Sequence, residues 1–432
     1  MSKQKSTILD VLQQQFAELE KQMNGATNSD AHLARKSAFD SFKEVGLPNR
    51  KHEEYRYTPL SKELNSHFES FIANPDLAEV SVDLDQLPDL NGCVIVFVNG
   101  SFHGPLSKIC LEQGVDIQVS ATQNELMSNE PEVNVSSDVF SGLNLALASS
   151  GVEIKIAKGT VLKDPINLVH ISNSKHGRVL AMPRHKISVG ENAQATITEI
   201  FIGGGYHSSF TNSVMETSIA PHGILNHYKV GFDGENDLRI DNTTCRQERN
   251  SVLNTLNVNY GGKVVRNNLN ILVEGEHCET NLDGLYIPIS DGNIDNHTVV
   301  DHKVPNCNSN ELYKGIMGEN ATGVFNGKVF VRQHAQKTNA FQSNKNILLA
   351  DTATINTKPQ LEIWADDVKC SHGCTTGQMD KEQLFYLRAR GIDKQSARKL
   401  LLKAFAEEVI EKIKDERLRA RVAAVLEEKL DS

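Results

Sequence analysis

Near the N-terminus, apolar residues recur at steps of three and four, which is the spacing of one face of an α-helix. This pattern predicts a helix over residues 8–23, ended by Gly25. It predicts a second helix over residues 30–45, ended by Gly46-Leu47-Pro48 because proline disfavours helix in the residue before it. The unbroken apolar run at residues 94–98 predicts the first buried strand.

From about Gly151 the pattern changes to short runs that alternate between apolar and polar residues. The clearest runs lie at residues 153–157, 186–189, 194–202, 256–260, 268–273 and 324–331. Asn, Gly and Asp separate them, as short strands with tight turns require. A sandwich, a barrel or a solenoid could produce this pattern, and no exact repeat is visible. We favour a parallel β-helix, because a barrel rarely needs so many short strands without hydrophobic hairpin ends.

After Cys374 the helical spacing returns. Asp380 with Gln383 resembles a capping box, Gly391 suits the position after a helix, and Asp393 can cap the next helix. The expected apolar stripe of that helix is Ala397, Leu400, Leu401, Ala404, Phe405, Val409 and Ile413. We therefore divide the chain into an N-terminal helical region (1–75), a mixed connecting region (76–150), a β-helix core (151–375) and a C-terminal helical domain (376–432).

Composition narrows the classes of function. Among 432 residues, 55 acidic against 45 basic side chains give a formal charge of −10, which disfavours binding to nucleic acid. No run of about 18 apolar residues occurs, so we expect no membrane insertion, and the polar first residues predict no secretory signal. Seven cysteines without CxxC spacing predict free thiols in a reducing, cytoplasmic compartment.

Several nucleotide and hydrolase motifs are missing from the sequence. Gly262-Lys263 and Gly327-Lys328 are each followed by Val, whereas a phosphate-binding loop needs GxxxxGK followed by Ser or Thr. Gly203-Gly204-Gly205 lacks the strand and helix that surround a dinucleotide fingerprint. HExxH and GxSxG do not occur. The chain is therefore not expected to be a stand-alone ATPase or hydrolase.

One segment, residues 366–374, groups side chains that bind metals. The Cys370 thiolate and the His372 imidazole are both suited to iron or zinc, and on a strand their spacing of two places them on one face. Gly373 would leave the imidazole accessible and let another backbone approach. From these residues alone, a metal or iron–sulfur site and a structural strand end both stay open.

The same segment carries a resemblance to a known family. Residues 358–368 with Cys370-Ser371-His372-Gly373, followed by residues 380–392, closely resemble the SufB/SufD family of iron–sulfur cluster assembly proteins. Residues 53–58 also look like the N-terminal signature of that family, with Tyr55 where tryptophan is common. Gly373 stands where SufB has Glu, and residues 309–368 lack the scaffold cysteine of SufB, so the chain resembles the SufD branch. Cys374 departs from the small apolar residue usual there.

This resemblance implies a mainly β fold: a right-handed parallel β-helix flanked by N-terminal and C-terminal α-helical regions. It implies a non-ATPase subunit of a complex with SufB and the SufC ATPase, in which the β-helix edge pairs with SufB. His372 would be a ligand or near neighbour of an iron–sulfur cluster shared with SufB, and Cys370 is a weaker candidate. The C-terminal helices would dock SufC, and their candidate contacts are Leu384, Tyr386, Leu400, Leu401 and Phe405. The family is also linked to reduced flavin, although no flavin motif is visible here, and a homodimer of the isolated chain stays open.

Two alternatives remain at this stage. The chain could be a purely structural adaptor that never contacts an iron–sulfur cluster. It could also be a β-helix enzyme acting on polysaccharide, in which two acidic side chains serve as acid and base. The candidate carboxylates are Asp233, Asp237, Asp241, Asp291, Asp295 and Asp301. An aromatic content of 6% is low for sugar stacking and disfavours this alternative.

Overall fold

A computed structural model describes residues 7–22, 29–68, 90–110, 112–120, 138–148 and 150–431. Most of the described chain is a parallel β-solenoid of about eight turns, with α-helices on its N-terminal and C-terminal sides. The mainly β fold and the parallel β-helix expected from the sequence are thereby confirmed. Within the described ranges, no helix is long and apolar enough to cross a bilayer.

Local signals in the sequence account for several of the helix ends, whereas the end expected at Gly25 lies outside the described residues. They are α1 (Ile8–Gln22), α2 (Asp30–Val45), α3 (Leu60–His67), α4 (Val139–Leu147), α5 (Lys381–Ala389), α6 (Lys394–Ile410) and α7 (Glu416–Asp431). Asp380 caps α5 by accepting hydrogen bonds from the backbone N–H groups of Glu382 and Gln383, at 2.8 and 3.2 Å. Asp393 caps α6 in the same way, and Gly391 between the two helices has a φ of +88°.

The strands, numbered in chain order, form two sheets. Sheet A contains β1 (Cys93–Val98), β2 (Ser101–Phe102), β5 (Ile166–Asn173), β8 (Gln194–Gly204), β10 (Ile224–Phe232), β12 (Val252–Tyr260), β14 (Glu279–Ile287), β16 (Asn308–Met317), β18 (Asn339–Leu348) and β20 (Lys369–Gly377). Sheet B contains β3 (Val115–Ser120), β4 (Ser150–Ile156), β6 (Val179–Ala181), β7 (Pro183–Val189), β9 (Ser209–Ile219), β11 (Asp237–Gln247), β13 (Val264–Val273), β15 (Asn293–His302), β17 (Thr322–Val331) and β19 (Thr354–Ile363).

From β7 onward successive strands alternate between the two sheets, so each turn of the solenoid adds one strand to each sheet. Sheet A has the order β2-β1-β5-β8-β10-β12-β14-β16-β18-β20, and sheet B has the order β19-β17-β15-β13-β11-β9-β7-β4-β3, with β6 beside β9. All strand pairs are parallel except two, β1 with β2 and β3 with β4, at the start of each sheet. The described solenoid thus begins with antiparallel strands and ends with β19 and β20, each of which has a strand on one side only.

Stacked asparagines on sheet A make the register visible. Asn226, Asn254, Asn281 and Asn310 are partners in four successive strands, β10 to β16. The Nδ2 of each amide donates to the Oδ1 of the previous one, at 3.1, 2.9 and 3.3 Å along the row. Each amide therefore donates to the preceding turn and accepts from the following turn, and we call this row the asparagine ladder.

One corner of each turn requires a left-handed backbone residue. The residues at this corner with φ between +56° and +64° are Asn192, His222, Asn250, His277, Asn306 and Lys337. The N–H groups of Asn192, His222 and Asn250 donate to carbonyl oxygens one turn further along, at 3.1, 2.9 and 2.9 Å. Asn adopts this conformation more readily than most residues, so the corner accounts for several of the asparagines that separate the strands.

The helices cover the outer faces of the two sheets. Residues from α1 to α4 share an apolar core with Phe210, Leu238 and Ile240 of sheet B. The C-terminal helices share a second core with sheet A, in which the Tyr260 hydroxyl donates to the carbonyl of Val422 at 2.9 Å. The space between the sheets holds a separate apolar core.

The apolar stripe expected on α6 is partly wrong. Leu400 and Ala404 are exposed in the structure. The residues of α6 that are buried are Ala397, Leu402, Ala406, Val409 and Ile410. Leu400, Leu401 and Leu402 are consecutive, so α6 is apolar on more than one side and spacing alone does not choose the buried face.

A charged group also lies between the sheets, around Arg239 of β11. Its guanidinium donates to Asp233 at 2.8 Å and to Asn259 at 2.5 Å, pairs closely with Asp241, and lies 4.3 Å from the ring centroid of Phe201. Arg239 is 1% exposed. Because a buried charge is tolerated only when it is paired, this arginine keeps two buried aspartates compatible with the interior.

We therefore expect Arg239→Leu to destabilise the solenoid strongly, because it leaves the buried Asp233 without its cation and leaves Asp241 with only Lys229, at 3.9 Å. The expected loss in the free energy of unfolding is about 3–5 kcal/mol, measured by urea denaturation. Lys158→Ala is the control, since Lys158 and Glu191 form an exposed ion pair at 2.6 Å that should contribute little. Equal unfolding midpoints for the two variants would contradict the structural role of Arg239.

Candidate functional site

His372 lies in the middle of β20, the last strand of sheet A. On one side β20 pairs with β18, where His372 is the partner of Gln342 and Cys374 is the partner of Asn344. On the other side no strand follows within the described residues. The His372 side chain is exposed. The residue that the sequence selected is therefore at the open end of the solenoid.

Cys370, His372 and Cys374 share the inner face of β20, because alternate residues of a strand point to the same side. Cys370 is half-buried and packs against the apolar cluster that contains Val331 and Ala340, at the end of the core. The Cys374 Sγ lies 3.4 Å from the Thr357 Oγ1 of β19, across the gap between the sheets. Two thiols and an imidazole thus line the mouth of the interior where the last turn ends.

These three side chains are too widely spaced to hold one metal ion by themselves. Cys370 and Cys374 are four residues apart on one strand, which separates their Cα atoms by about 13 Å, whereas zinc binds sulfur at about 2.3 Å and nitrogen at about 2.0 Å. In the part of the chain that the structure describes, no group of three or more His, Cys, Asp or Glu side chains converges as a metal site. Any metal or iron–sulfur cluster bound at this row therefore requires ligands from outside the described residues.

The two thiols of the row lie in different environments. A thiol must release its proton before it can bind a metal. Burial raises the pKa of Cys370 above its ordinary value, which makes that release less favourable. Cys374 is exposed at the mouth. A Cβ atom added at Gly373 would meet nothing within 4 Å. Nothing within the described chain therefore requires glycine at this position, and the space beside His372 is open to a partner.

The segment Glu53–Thr58 lies on the outer face of sheet B, close to the last turns. The Glu54 carboxylate contacts His297 Nδ1 at 3.2 Å and Lys328 Nζ at 2.6 Å. The hydrogen bond to His297, helped by Lys328, lowers the pKa of Glu54 to about 2. Arg266 stacks on the Tyr55 ring at 3.9 Å. This segment therefore ties the N-terminal region to the strands that precede the open end.

Tyr55 occupies the place where the resembling family often has tryptophan. Its ring is buried, and its hydroxyl donates to Asp138 Oδ2 at 2.5 Å. Asp138 is also the N-terminal cap of α4, where it accepts from the N–H of Phe140 at 2.9 Å. Tyr55 thus combines aromatic packing against Phe140 with a hydrogen bond to the residue that caps α4.

The five candidate docking residues occupy different environments on the C-terminal helices. Tyr386 is 56% exposed and Leu400 is 48% exposed, and Phe385 beside them is 74% exposed. Leu384, Leu401 and Phe405 are half-buried. The Phe405 ring lies 4.5 Å from Lys314 Nζ, which also donates to the Phe405 carbonyl at 2.8 Å. Phe405 therefore packs on the solenoid, whereas Tyr386 and Leu400 are free to contact another protein.

Each of the six aspartates considered for polysaccharide chemistry forms an ion pair or a hydrogen bond with a neighbouring side chain. Those partners are Arg239 for Asp233 and Asp241, Ser209 for Asp237, Lys263 for Asp291, Arg266 for Asp295 and Arg332 for Asp301. This is the arrangement of structural ion pairs and hydrogen bonds. It does not present an acid and a base to a groove.

The polar residues beneath His372 were not predicted from the sequence. Glu311 and Gln342 are the register partners of His372 in the two preceding turns of sheet A, and such a row of register partners is called a column here. Tyr286, Asn344 and Asn346 are buried nearby in the interior. The Tyr286 hydroxyl donates to Asn346 Oδ1 at 2.5 Å. A search for residues repeated every 27 to 31 positions could have aligned these strands, because their register follows the turns.

Two family models match nearly the whole chain. The model described as "SUF system FeS cluster assembly, SufBD core domain" matches residues 170–405. The model described as "SufBD protein N-terminal region" matches residues 3–168. Together they span the N-terminal region, the solenoid and part of the C-terminal helices.

Known proteins show the same similarity over most of their length. The iron–sulfur cluster assembly protein SufD of Escherichia coli is 33% identical over 398 residues, which are 89% of this chain and 90% of that protein. An iron–sulfur cluster assembly SufBD family protein of Synechocystis is 33% identical over 419 residues, 93% of this chain and 91% of its own. Protein ABCI7, chloroplastic, of Arabidopsis thaliana is 31% identical over 422 residues, 94% and 88% of the two chains.

Glu311 provides a prediction about pH. Burial raises its pKa from 4.5 to about 7, so between these values the folded chain keeps a proton that the unfolded chain has released. The contribution of protonated Glu311 to the free energy of unfolding is therefore complete below pH 4.5 and is lost as the pH rises through 7. Relative to the wild type, Glu311→Gln should gain about 3 kcal/mol of unfolding free energy over this interval.

Urea denaturation at several pH values measures this difference. Subtracting the wild-type curve removes the contributions of other titrating groups and any constant effect of the substitution. A difference between the two proteins that does not change with pH would show that Glu311 has an ordinary pKa in the folded chain.

Proposed function

Because this chain belongs to the SufBD family of iron–sulfur cluster assembly proteins, we propose that it is a non-ATPase subunit of a Suf assembly complex. In this role it pairs with SufB, docks the SufC ATPase and helps to acquire iron and assemble clusters at the interface with SufB. SufC supplies ATP hydrolysis, and the complex works in the cytoplasm.

The observation that supports this proposal most is the open end of the solenoid. Both β19 and β20 carry backbone N–H and C=O groups on their outer edges that no described strand pairs. Such edges are templates for strands of another protein. Phe341, Ile363 and Trp364 are exposed around this end, at 46%, 39% and 49%. We propose that SufB continues both sheets here and covers these apolar side chains.

His372 would then lie inside the interface with SufB. One imidazole cannot hold an iron–sulfur cluster, so SufB would contribute the remaining ligands, and Cys370 is a weaker candidate from this chain. The iron–sulfur cluster is the cargo of the complex and is bound transiently. Electrons for its assembly would come from reduced flavin in the assembled complex.

The C-terminal helices supply the second surface of the proposal. Phe385, Tyr386 and Leu400 are large, exposed and apolar, and they lie on two consecutive helices. Exposed apolar groups of this kind mark protein interaction sites. SufC would cover them, while Phe405 and the buried residues of α6 keep these helices attached to sheet A.

His372→Ala tests the site. We expect the variant to fold and to assemble with SufB and SufC, because the side chain is exposed. Iron retained by the complex should fall by about 10-fold or more, since loss of a group in contact with a metal typically costs at least that. Ser371→Ala is the control, because Ser371 is an exposed neighbour on the opposite face of β20.

Iron content and the visible absorbance of the reconstituted complex provide the measurement. Normal cluster assembly by His372→Ala would favour the adaptor alternative, in which this chain joins SufB and SufC without contacting the cluster. Failure of the wild-type chain to join SufB and SufC would contradict the proposal as a whole.

A second experiment tests SufC docking. The double variant Tyr386→Asp, Leu400→Asp should lose co-purification with SufC while its melting temperature stays that of the wild type, since both side chains are exposed. Leu33→Asp, Val45→Asp is the matched control, because these residues are 52% and 60% exposed on α2. Retention of SufC by the first variant, or its loss by the control, would refute the docking surface.

A further inference from the structure

Gln342 and Glu311 form a column directly beneath His372. His372 of β20 is the register partner of Gln342 of β18, and Gln342 is the register partner of Glu311 of β16. Register partners in parallel strands share a face, so all three side chains point into the interior. Gln342 is 4% exposed and Glu311 is 5% exposed. The exposed imidazole therefore rests on two buried polar side chains.

Glu311 orients the amide of Gln342. The Nε2 of Gln342 donates to Glu311 Oε2 at 2.6 Å, and the Thr298 hydroxyl donates to Glu311 Oε1, also at 2.6 Å. The other amide atom, Gln342 Oε1, is buried and has no hydrogen-bond partner among the described residues. Because buried polar atoms are nearly always paired, this acceptor calls for a donor.

The asparagine ladder indicates where that donor lies. In the ladder, each amide nitrogen donates to the preceding turn and each amide oxygen accepts from the following turn. Gln342 also donates to the preceding turn, through Glu311. By the same alternation we expect its oxygen to face the following turn, where the register partner of Gln342 is His372.

Gly327 on the facing sheet makes room for this amide. A Cβ atom at Gly327 would lie 2.2 Å from Gln342 Nε2 and 2.9 Å from its Cδ. Gly327 is not among the glycines with positive φ, so the backbone conformation does not require glycine there. The space for the Gln342 side chain does.

We propose that Gln342 is a positioning residue for His372. The exposed imidazole of His372 can turn toward this oxygen, so that Gln342 Oε1 accepts the N–H of one ring nitrogen. This bond fixes the tautomer and leaves the lone pair of the other nitrogen free at the open end. A histidine that binds a metal almost always donates its second ring N–H to such an acceptor. The effect of this hydrogen bond on iron binding by His372 rests on the proposed function, whereas the hydrogen bond between Gln342 and His372 does not.

The hydrogen bond can be tested on the isolated chain. Ring ¹⁵N resonances of His372, assigned by their absence in His372→Ala, report the tautomer at a pH about two units above the ordinary imidazole pKa. The wild type should show two widely separated resonances. Gln342→Met should bring them closer together, because the ring then exchanges between the two tautomers. Asn310→Met, which removes an amide of the asparagine ladder, is the control and should leave them unchanged.

Gly327→Ala provides a second variant that keeps every polar group but displaces the Gln342 amide. It should produce the same convergence, and it decides the matter if Gln342→Met does not fold. Wild-type resonances in either folded variant would overturn the proposal.

The reconstituted complex separates this proposal from the function. Gln342→Met should lower iron retention by about 10- to 100-fold. Converged resonances with unchanged iron retention would confirm the hydrogen bond and overturn His372 as a ligand. Unchanged resonances with lower iron retention would overturn the hydrogen bond and leave the function standing.

Discussion

Parallel strands stacked in register place each side chain about 4.8 Å from its counterpart in the preceding turn. On the outer face of sheet A, this spacing lets the side-chain amides of Asn226, Asn254 and Asn281 form hydrogen bonds with one another. Inside, where water is excluded, a polar group has to find its partner in its own column or on the facing sheet, as Glu311 does with Gln342 and Thr298. Both the stability of the solenoid and the surroundings of His372 follow from this one constraint.

Local signals in the sequence were sufficient for the helices and for the existence of the strands. The caps Asp380 and Asp393 act over three residues, and the alternation within a strand is equally short in range. The stacking of the strands into a solenoid was not visible in the sequence, because successive turns of the solenoid differ in their number of residues. Asn226 to Asn254 is 28 residues, Asn254 to Asn281 is 27, and Asn281 to Asn310 is 29, so a fixed repeat fails even though the register is regular.

The site was only partly predictable for a related reason. Cys370 and His372 do lie on one face of a strand, as their spacing of two indicates. That this face is the inner one, and that the strand is the last described in its sheet, depends on how many turns precede it. The same limit applies to α6, where Leu400, Leu401 and Leu402 offer three candidate faces and only contact with sheet A selects among them.

The two ends of the solenoid differ in a way that limits how many copies can join. At the N-terminal end, β2 and β3 run antiparallel to their neighbours, and β2 is only two residues long. Further parallel turns cannot be stacked there in the same register. At the other end, β19 and β20 can accept another solenoid. Among the described strands, only this end continues the parallel register, so two chains that join through it end to end use up that edge and leave two antiparallel ends outward.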